Sequence, residues 1–218
     1  MDILSFSEKL RKILKEGSLP GHAAQLKMAS DYYRNKRVDL EKLSGQKESA
    51  VCILFFEKNK DICFLLIRRP DTHKHHAGQI AFPGGKCEIG ETFEQTALRE
   101  LKEETGIQIN PENILGKLTP MYIPVSNFYV QPVIASTEST FTFIKSTETE
   151  QYFEFPLKSL LDESILGETE VTTAGNIKLK TPYFDVQGFV LWGATAMVLS
   201  ELKQLILQDR ATFASLFL

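Results

Sequence analysis

The sequence has no excess of basic charge, no apolar run long enough to cross a bilayer, and few cysteines. Its 25 Lys and Arg stand against 28 Asp and Glu, a formal charge of −3. It therefore lacks the broad basic surface of a general nucleic-acid binder, and any anion site must be local. No apolar stretch approaches the roughly 20 residues that span a membrane, and the N-terminal "MDILSFSEKLRKILKEG" mixes charged with apolar residues where a signal peptide would carry an uninterrupted apolar core. The expectation is a cytoplasmic protein with no membrane or nucleic-acid partner. Cys52, Cys63 and Cys87 are odd in number and contain no CxxC pair, which leaves neither a disulfide framework nor a zinc site. Cys52 and Cys63 sit in apolar runs and read as packed thiols.

What the chain does have is the length and composition of one substantial core, 218 residues with 43% hydrophobic and 24% charged. Ile3, Phe6, Leu10, Ile13 and Leu14 recur at helical spacing before "GSLPGH" breaks the pattern. Residues 1–49 are therefore read as an N-terminal helical arm packed on a main domain of residues 50–218. "AVCILFFE" and "DICFLLIRR" flank "KNK" as paired strands. "NILGKL", "NFYVQPVIAS", "QYFEFPL" and "IKLKTPYFDV" read as further strands, with Pro132 marking an edge or a bulge. Residues 192–207 read as an amphipathic helix. Helices interspersed among strands predict a mixed sheet covered by helices, an α/β or α+β sandwich.

The densest chemistry lies in "FPGGKCEIGETFEQTALRELKEETGI", residues 82–107. Helical residues advance by about 100°, so Glu100, Glu103 and Glu104 share an arc of roughly that width. Like charges at this spacing repel by a few tenths of a kcal/mol per pair, a cost that a bound cation would remove. A solvated acidic face is the ordinary reading of such a cluster. Here it follows the glycine turn "PGGKCEIGE", whose backbone can approach a ligand closely. With oxygen ligands and neither His nor Cys in the cluster, the expected ion is Mg²⁺ or Mn²⁺, and Mg²⁺ commonly joins carboxylates to phosphates.

The stretch resembles the box of the Nudix hydrolases, G-x5-E-x7-R-E-U-x-E-E-x-G-U with U apolar. Gly85, Glu91, Arg99, Glu100, Leu101, Glu103, Glu104, Gly106 and Ile107 supply every position. A chance match in a chain this long has a probability on the order of 10⁻⁷. The resemblance implies a Nudix-type α/β/α sandwich with a mixed β-sheet and metal-dependent cleavage of a diphosphate linked to another moiety. It implies Glu100, Glu103 and Glu104 as catalytic metal ligands, with the Gly85 carbonyl a further ligand. Glu91 and Arg99 would brace the loop against the helix, and Gly106 would end it.

Upstream, "LLIRRPDTHKHHAGQIAFPGG" resembles the extra signature of the coenzyme A branch of that family, L-L-T-x-R-[SA]-x3-R-x3-G-x3-F-P-G-G. Leu65, Leu66, Arg69, Gly78, Phe82, Pro83, Gly84 and Gly85 match, while Ile67, Pro70 and Lys74 depart. Lys74 keeps the charge of the family's Arg but loses its planar fork. Arg69, Lys74, Gly84 and Gly85 are the implied substrate contacts; His73, His75 and His76 read as a solvated loop. "STETEQYFEFPLKSLL" and "FVLWGATAMVLSEL" resemble later segments of the branch, and the first supplies Glu148 as a candidate general base, with Glu150 as a fallback. The implied reaction is hydrolysis of coenzyme A or an acyl derivative to 3′,5′-ADP and (acyl-)4′-phosphopantetheine. Two alternatives stand beside it: the same chemistry on ADP-ribose, NADH or a dinucleoside polyphosphate, and a non-catalytic nucleotide-binding module. The arm is free to cap the domain, support a homodimer or shape the entrance to the site.

Overall fold

The computed structural model describes residues 1–35, 45–71, 77–144, 146–172 and 178–217. The predicted hairpin forms from β1 (Lys47–Lys58) and β2 (Asp61–Arg68). Lys58 pairs with Asp61, and Asn59 and Lys60 both take positive φ, the two-residue turn whose twist matches a hairpin. β1 is the hub of an eight-stranded sheet that also contains β3 (Ile80–Ala81), β4 (Gly84–Lys86), β5 (Ile114–Lys117), β6 (Met121–Ile123), β7 (Phe128–Thr137) and β8 (Gln151–Pro156). It runs parallel to β7 and antiparallel to β2 and β4, so the sheet is mixed.

β1 is shared along its length, and this sharing builds the site. Phe55–Lys58 pair with β2, whereas Ser49–Val51 pair with β4. Between them the Cys52 amide donates to the Pro83 carbonyl at 2.8 Å. The two partners therefore part at the middle of β1, and β4 is delivered beneath the helix that follows it, α4 (Phe93–Thr105).

Strand alternation splits the core into two layers. Cys52, Leu54 and Phe56 point to one face, where Ala97 and Leu101 of α4 pack on them with Leu65 and Val133. Ile53 and Phe55 point to the other, against Phe6 and Leu10 of α1 (Ile3–Glu16) and Leu199, Leu202 and Ile206 of α6 (Ala194–Gln208). The result is the expected α/β/α sandwich. Phe6 lies edge-on to Phe55 with ring centroids 4.9 Å apart, so the N-terminal helix contributes to the central core. Short helices α2 (Gly21–Gln25), α3 (Asp31–Asn35) and α5 (Leu157–Leu161) fill the connections. The fully buried Glu201 of α6 accepts from the amides of Gly21 and Thr119, both at 3.2 Å, and from Gln25 Nε2 at 2.8 Å, tying α2 to α6.

Two expectations are corrected and one is narrowed. Pro132, read as an edge or a bulge, is on an interior strand at the bulge: β7 lies between β1 and β5, and Pro132 falls where β5 pairing stops at Val133 and β6 pairing resumes at Val130 with the register slipped by one residue. Its missing amide thus costs no ladder bond on that side. The terminal helix starts at Ala194 because Gly193, at φ 71°, breaks the backbone ahead of it. A second sheet of β9 (Leu166–Thr172), β10 (Lys178–Val186) and β11 (Phe189–Leu191) surrounds the one strand expected there.

Candidate active site

α4 is bounded by strong local signals. Thr92 caps it with a reciprocal pair to Gln95, at 2.8 and 3.2 Å, and Gly106 closes it at φ 77° with its amide on Lys102 O at 2.8 Å. Thr96, Ala97, Leu101, Glu104 and Thr105 form its buried stripe. The three carboxylates do not form one exposed stripe. Their side chains are 12% exposed at Glu100, 57% at Glu103 and 1% at Glu104. Glu104 sits three residues beyond Leu101, on the same turn-to-turn line that faces the core.

Each carboxylate meets a different environment. Glu104 Oε2 accepts the Gly84 amide at 2.8 Å, while Oε1 lies 3.3 Å from Arg69 Nη2. That nitrogen donates to Gly84 O at 3.1 Å, so Glu104 Oε1 has a charge partner but, among the described residues, no hydrogen-bond donor. Burial pushes the Glu104 carboxyl up to about 7, against the opposing pull of Arg69 and the Gly84 amide; Glu100 and Glu148 add to the rise. Burial also raises Glu100, opposed by Arg99 and reinforced by Glu103 and Glu148.

Arg99 is the organiser of the outer half. Its Nε and Nη2 grip Glu91 at 2.8 and 3.0 Å, Nη2 donates to Lys86 O at 3.1 Å, and Nη1 reaches Glu100 Oε1 at 2.7 Å and Glu103 Oε2 at 3.1 Å. Glu91 in turn accepts from the Glu88 amide and the Thr96 hydroxyl. The guanidinium holds Glu91 down at about 2. The brace between loop and helix expected from Glu91 and Arg99 is thus present, and it also clamps two of the three carboxylates.

Of the expected substrate contacts, Gly84 gives its amide to Glu104 and its carbonyl to Arg69, so both its polar groups serve the protein. Gly85 pairs with Ala50 in the sheet, and a side chain there would collide with the Glu100 carboxylate. Arg69 lies at the site; Lys74 and the three histidines lie outside the described residues. Glu148 is exposed on a turn, and its charge acts on Glu100 and Glu104. Glu150 is instead held by Arg68 at 2.6 Å, with Asp71 on the same guanidinium at 3.0 Å. Sequence reading missed this Arg68 cluster, because nothing in a linear pattern pairs residues 68 and 150 until β2 and β8 are aligned.

Among the described residues, no three His, Cys, Asp or Glu side chains are gathered as they would be around an ion; the carboxylates turn to Arg99 and Arg69. Their chemistry nonetheless fits a hard divalent cation. The donors are all oxygens, Glu104 Oε1 is buried with no hydrogen-bond donor among the described residues, and Gly85 leaves its space to Glu100.

The site thus sits on an α/β/α sandwich, with carboxylates graded along one helix beneath a glycine turn. The chain belongs to the Nudix family: the NUDIX domain model matches residues 46–167. It is accordingly a hydrolase acting on pyrophosphate bonds, the enzymatic of the two classes considered from sequence. Nudix hydrolases generally use divalent metal ions. The chain is 34% identical over 143 residues to the uncharacterized Nudix hydrolase NudL of Yersinia pestis (strain Pestoides F), covering 64% of this chain and 70% of that protein. Its fold is similar to a MutT/nudix family protein from Enterococcus faecalis, at TM-score 0.56 and 16% identity over 93% of this chain and 75% of the other. It is also similar to the Nudix hydrolase RenU from M. smegmatis, at TM-score 0.51 and 17% identity over 84% and 94%. No helix among the described residues is long and apolar enough to cross a membrane.

Proposed function

We propose that the chain hydrolyses coenzyme A or acyl-coenzyme A to 3′,5′-ADP and (acyl-)4′-phosphopantetheine. The observation that carries this reading is the contact of Arg69 with Glu104 at 3.3 Å, which brings the coenzyme A-like segment onto the carboxylate helix. A positive side chain beside a metal-type carboxylate suits a substrate with a diphosphate and a further phosphate. Of the three departures from that signature, Ile67 is fully buried and packs in the sheet, so it bears on the core and not on the substrate.

In this reading Glu100, Glu103 and Glu104, with the Gly85 carbonyl, would hold Mg²⁺ or Mn²⁺. When bound, the ion would supply charge for phosphoryl oxygens and acidify water. Arg99 would give up Glu100 and Glu103 while keeping Glu91. Glu148 takes a proton from water as the water oxygen bonds to phosphorus, and the bridging oxygen leaves with the electron pair of the broken bond. Arg69 would orient phosphate.

The same helix and base would serve ADP-ribose, NADH or a dinucleoside polyphosphate, for which the departures at Pro70 and Lys74 leave room. Turnover of coenzyme A, its 3′-dephospho form and ADP-ribose with Mn²⁺ separates the two readings. The expected kcat/KM is highest for coenzyme A, by about 10-fold or more over either competitor, as for loss of one charged contact. Equal or better cleavage of ADP-ribose would replace the coenzyme A reading with the second.

A further inference from the structure

The C-terminal end of a helix leaves carbonyls without partners inside it. In α4, Gly106 caps Lys102, but the last two carbonyls are taken up by the segment that carries Glu148. The Ile144 amide donates to Thr105 O at 3.0 Å, and the Thr149 hydroxyl donates to Glu104 O at 2.9 Å. The Tyr152 hydroxyl lies 3.1 Å from the same Glu104 O and 2.8 Å from Ile144 O. Its one proton is shared between the two carbonyls as a three-centre bond, with the shorter arm to Ile144 O in the loop and the longer to the helix end.

The Tyr152 ring is itself fixed. It stacks on Phe143 at 4.2 Å between centroids and 6° between planes; Phe143 packs on Phe141, and Phe141 edges onto Phe56 of β1. Glu148 therefore lies between fastening points at Ile144 on one side and Thr149 and Tyr152 on the other. The amide two residues past it, Glu150 N–H, is held on Arg68 O at 2.9 Å.

We propose that Tyr152 and Thr149 are positioning residues: Thr149 by bonding the carbonyl of Glu104, and Tyr152 by sharing its proton between that carbonyl and the carbonyl of Ile144, hold the Glu148 carboxylate in register with the carboxylates of α4. The inference rests on Glu148 acting as the base. The bonded atoms belong to the main chain of the residue whose side chain lines the site, so the helix end and the base loop move as one unit. Nothing in the family box encodes this coupling, because neither residue lies within it.

The test is a double-variant cycle on the full-length protein with coenzyme A and ADP-ribose as probes, each with Mn²⁺. Tyr152→Phe keeps the stacked ring and removes the bridge, and Thr149→Val removes the second bond while Thr149→Ser restores it. Tyr152→Phe should lower kcat about 10-fold with KM within about twofold, a fraction of the 10²- to 10⁴-fold due to a general base. Its melting temperature should fall by only about 2–4 °C, and the exchange of the Ile144 amide should quicken. In a Glu148→Gln background Tyr152→Phe should change kcat by less than about threefold, since the group it positions is gone. Thr149→Ser should stay near wild type where Thr149→Val does not. If Glu148→Gln is slow but Tyr152→Phe is silent, or lowers kcat equally in both backgrounds, the positioning role is overturned and the base stands. If Glu148→Gln turns over normally, the base assignment falls and the positioning role falls with it.

Discussion

Arg99 touches Glu91, Glu100 and Glu103 at once, which makes the Glu91 pairing the fixed point about which the outer carboxylates arrange. The Glu91 carboxyl is held at about 2, below its usual 4.5. A carboxyl whose pKa is lower in the folded state contributes stability that is complete above the unfolded value and is lost as pH falls through the folded one. The window is therefore from about 4.5 down to about 2. Glu91→Gln should destabilise the protein by about 1–2 kcal/mol at neutral pH, a partly exposed, charge-assisted pair. It should also flatten the acid limb. Urea unfolding of both proteins between pH 6 and pH 2 checks this, and parallel curves for the two would remove the pairing as a source of stability. At this scale the box was legible: its spacing named Glu91 and Arg99 together. The depth of Glu104 was less so, because the helical wheel groups it with Glu100 and Glu103 while β4 decides which of them is covered.

At the scale of elements, α1 is an integral layer of the sandwich. Phe6 is fully buried between Phe55 and Phe213, with centroids 4.9 and 5.6 Å away. Phe6→Ala should cost about 3–5 kcal/mol, measured as a shift in the urea midpoint at unchanged slope; a loss below about 1 kcal/mol would mean that the helix is a detachable arm. The helical spacing of Ile3, Phe6 and Leu10 announced this helix, as alternation announced β1 and β2. β9 was not legible. "LGETEVT" alternates half-covered with exposed positions and draws its support from cross-strand pairs, Glu168 with Lys180 at 2.7 Å and Glu170 with Lys178 at 2.8 Å. Such pairs exist only once the register is known. The same holds for the short strands β3, β4 and β6, which are too brief for periodicity and owe their form to β1, β2 and β7.

For the molecule as a whole, the fold class followed from interspersed helical and strand patterns, and the carboxylate helix from its box. What sequence could not supply was how β1 divides between β2 and β4 and thereby sets Arg69 and Gly84 against Glu104. That convergence is the basis of the coenzyme A reading. The most direct measurement incubates wild-type protein and Glu104→Gln with coenzyme A and Mn²⁺, with EDTA as control, and identifies the products by mass spectrometry. The expected result is 3′,5′-ADP with 4′-phosphopantetheine from the wild type only, abolished by EDTA and reduced by about 100-fold or more in Glu104→Gln. Intact coenzyme A under all conditions, or equal turnover by the folded variant, would contradict it.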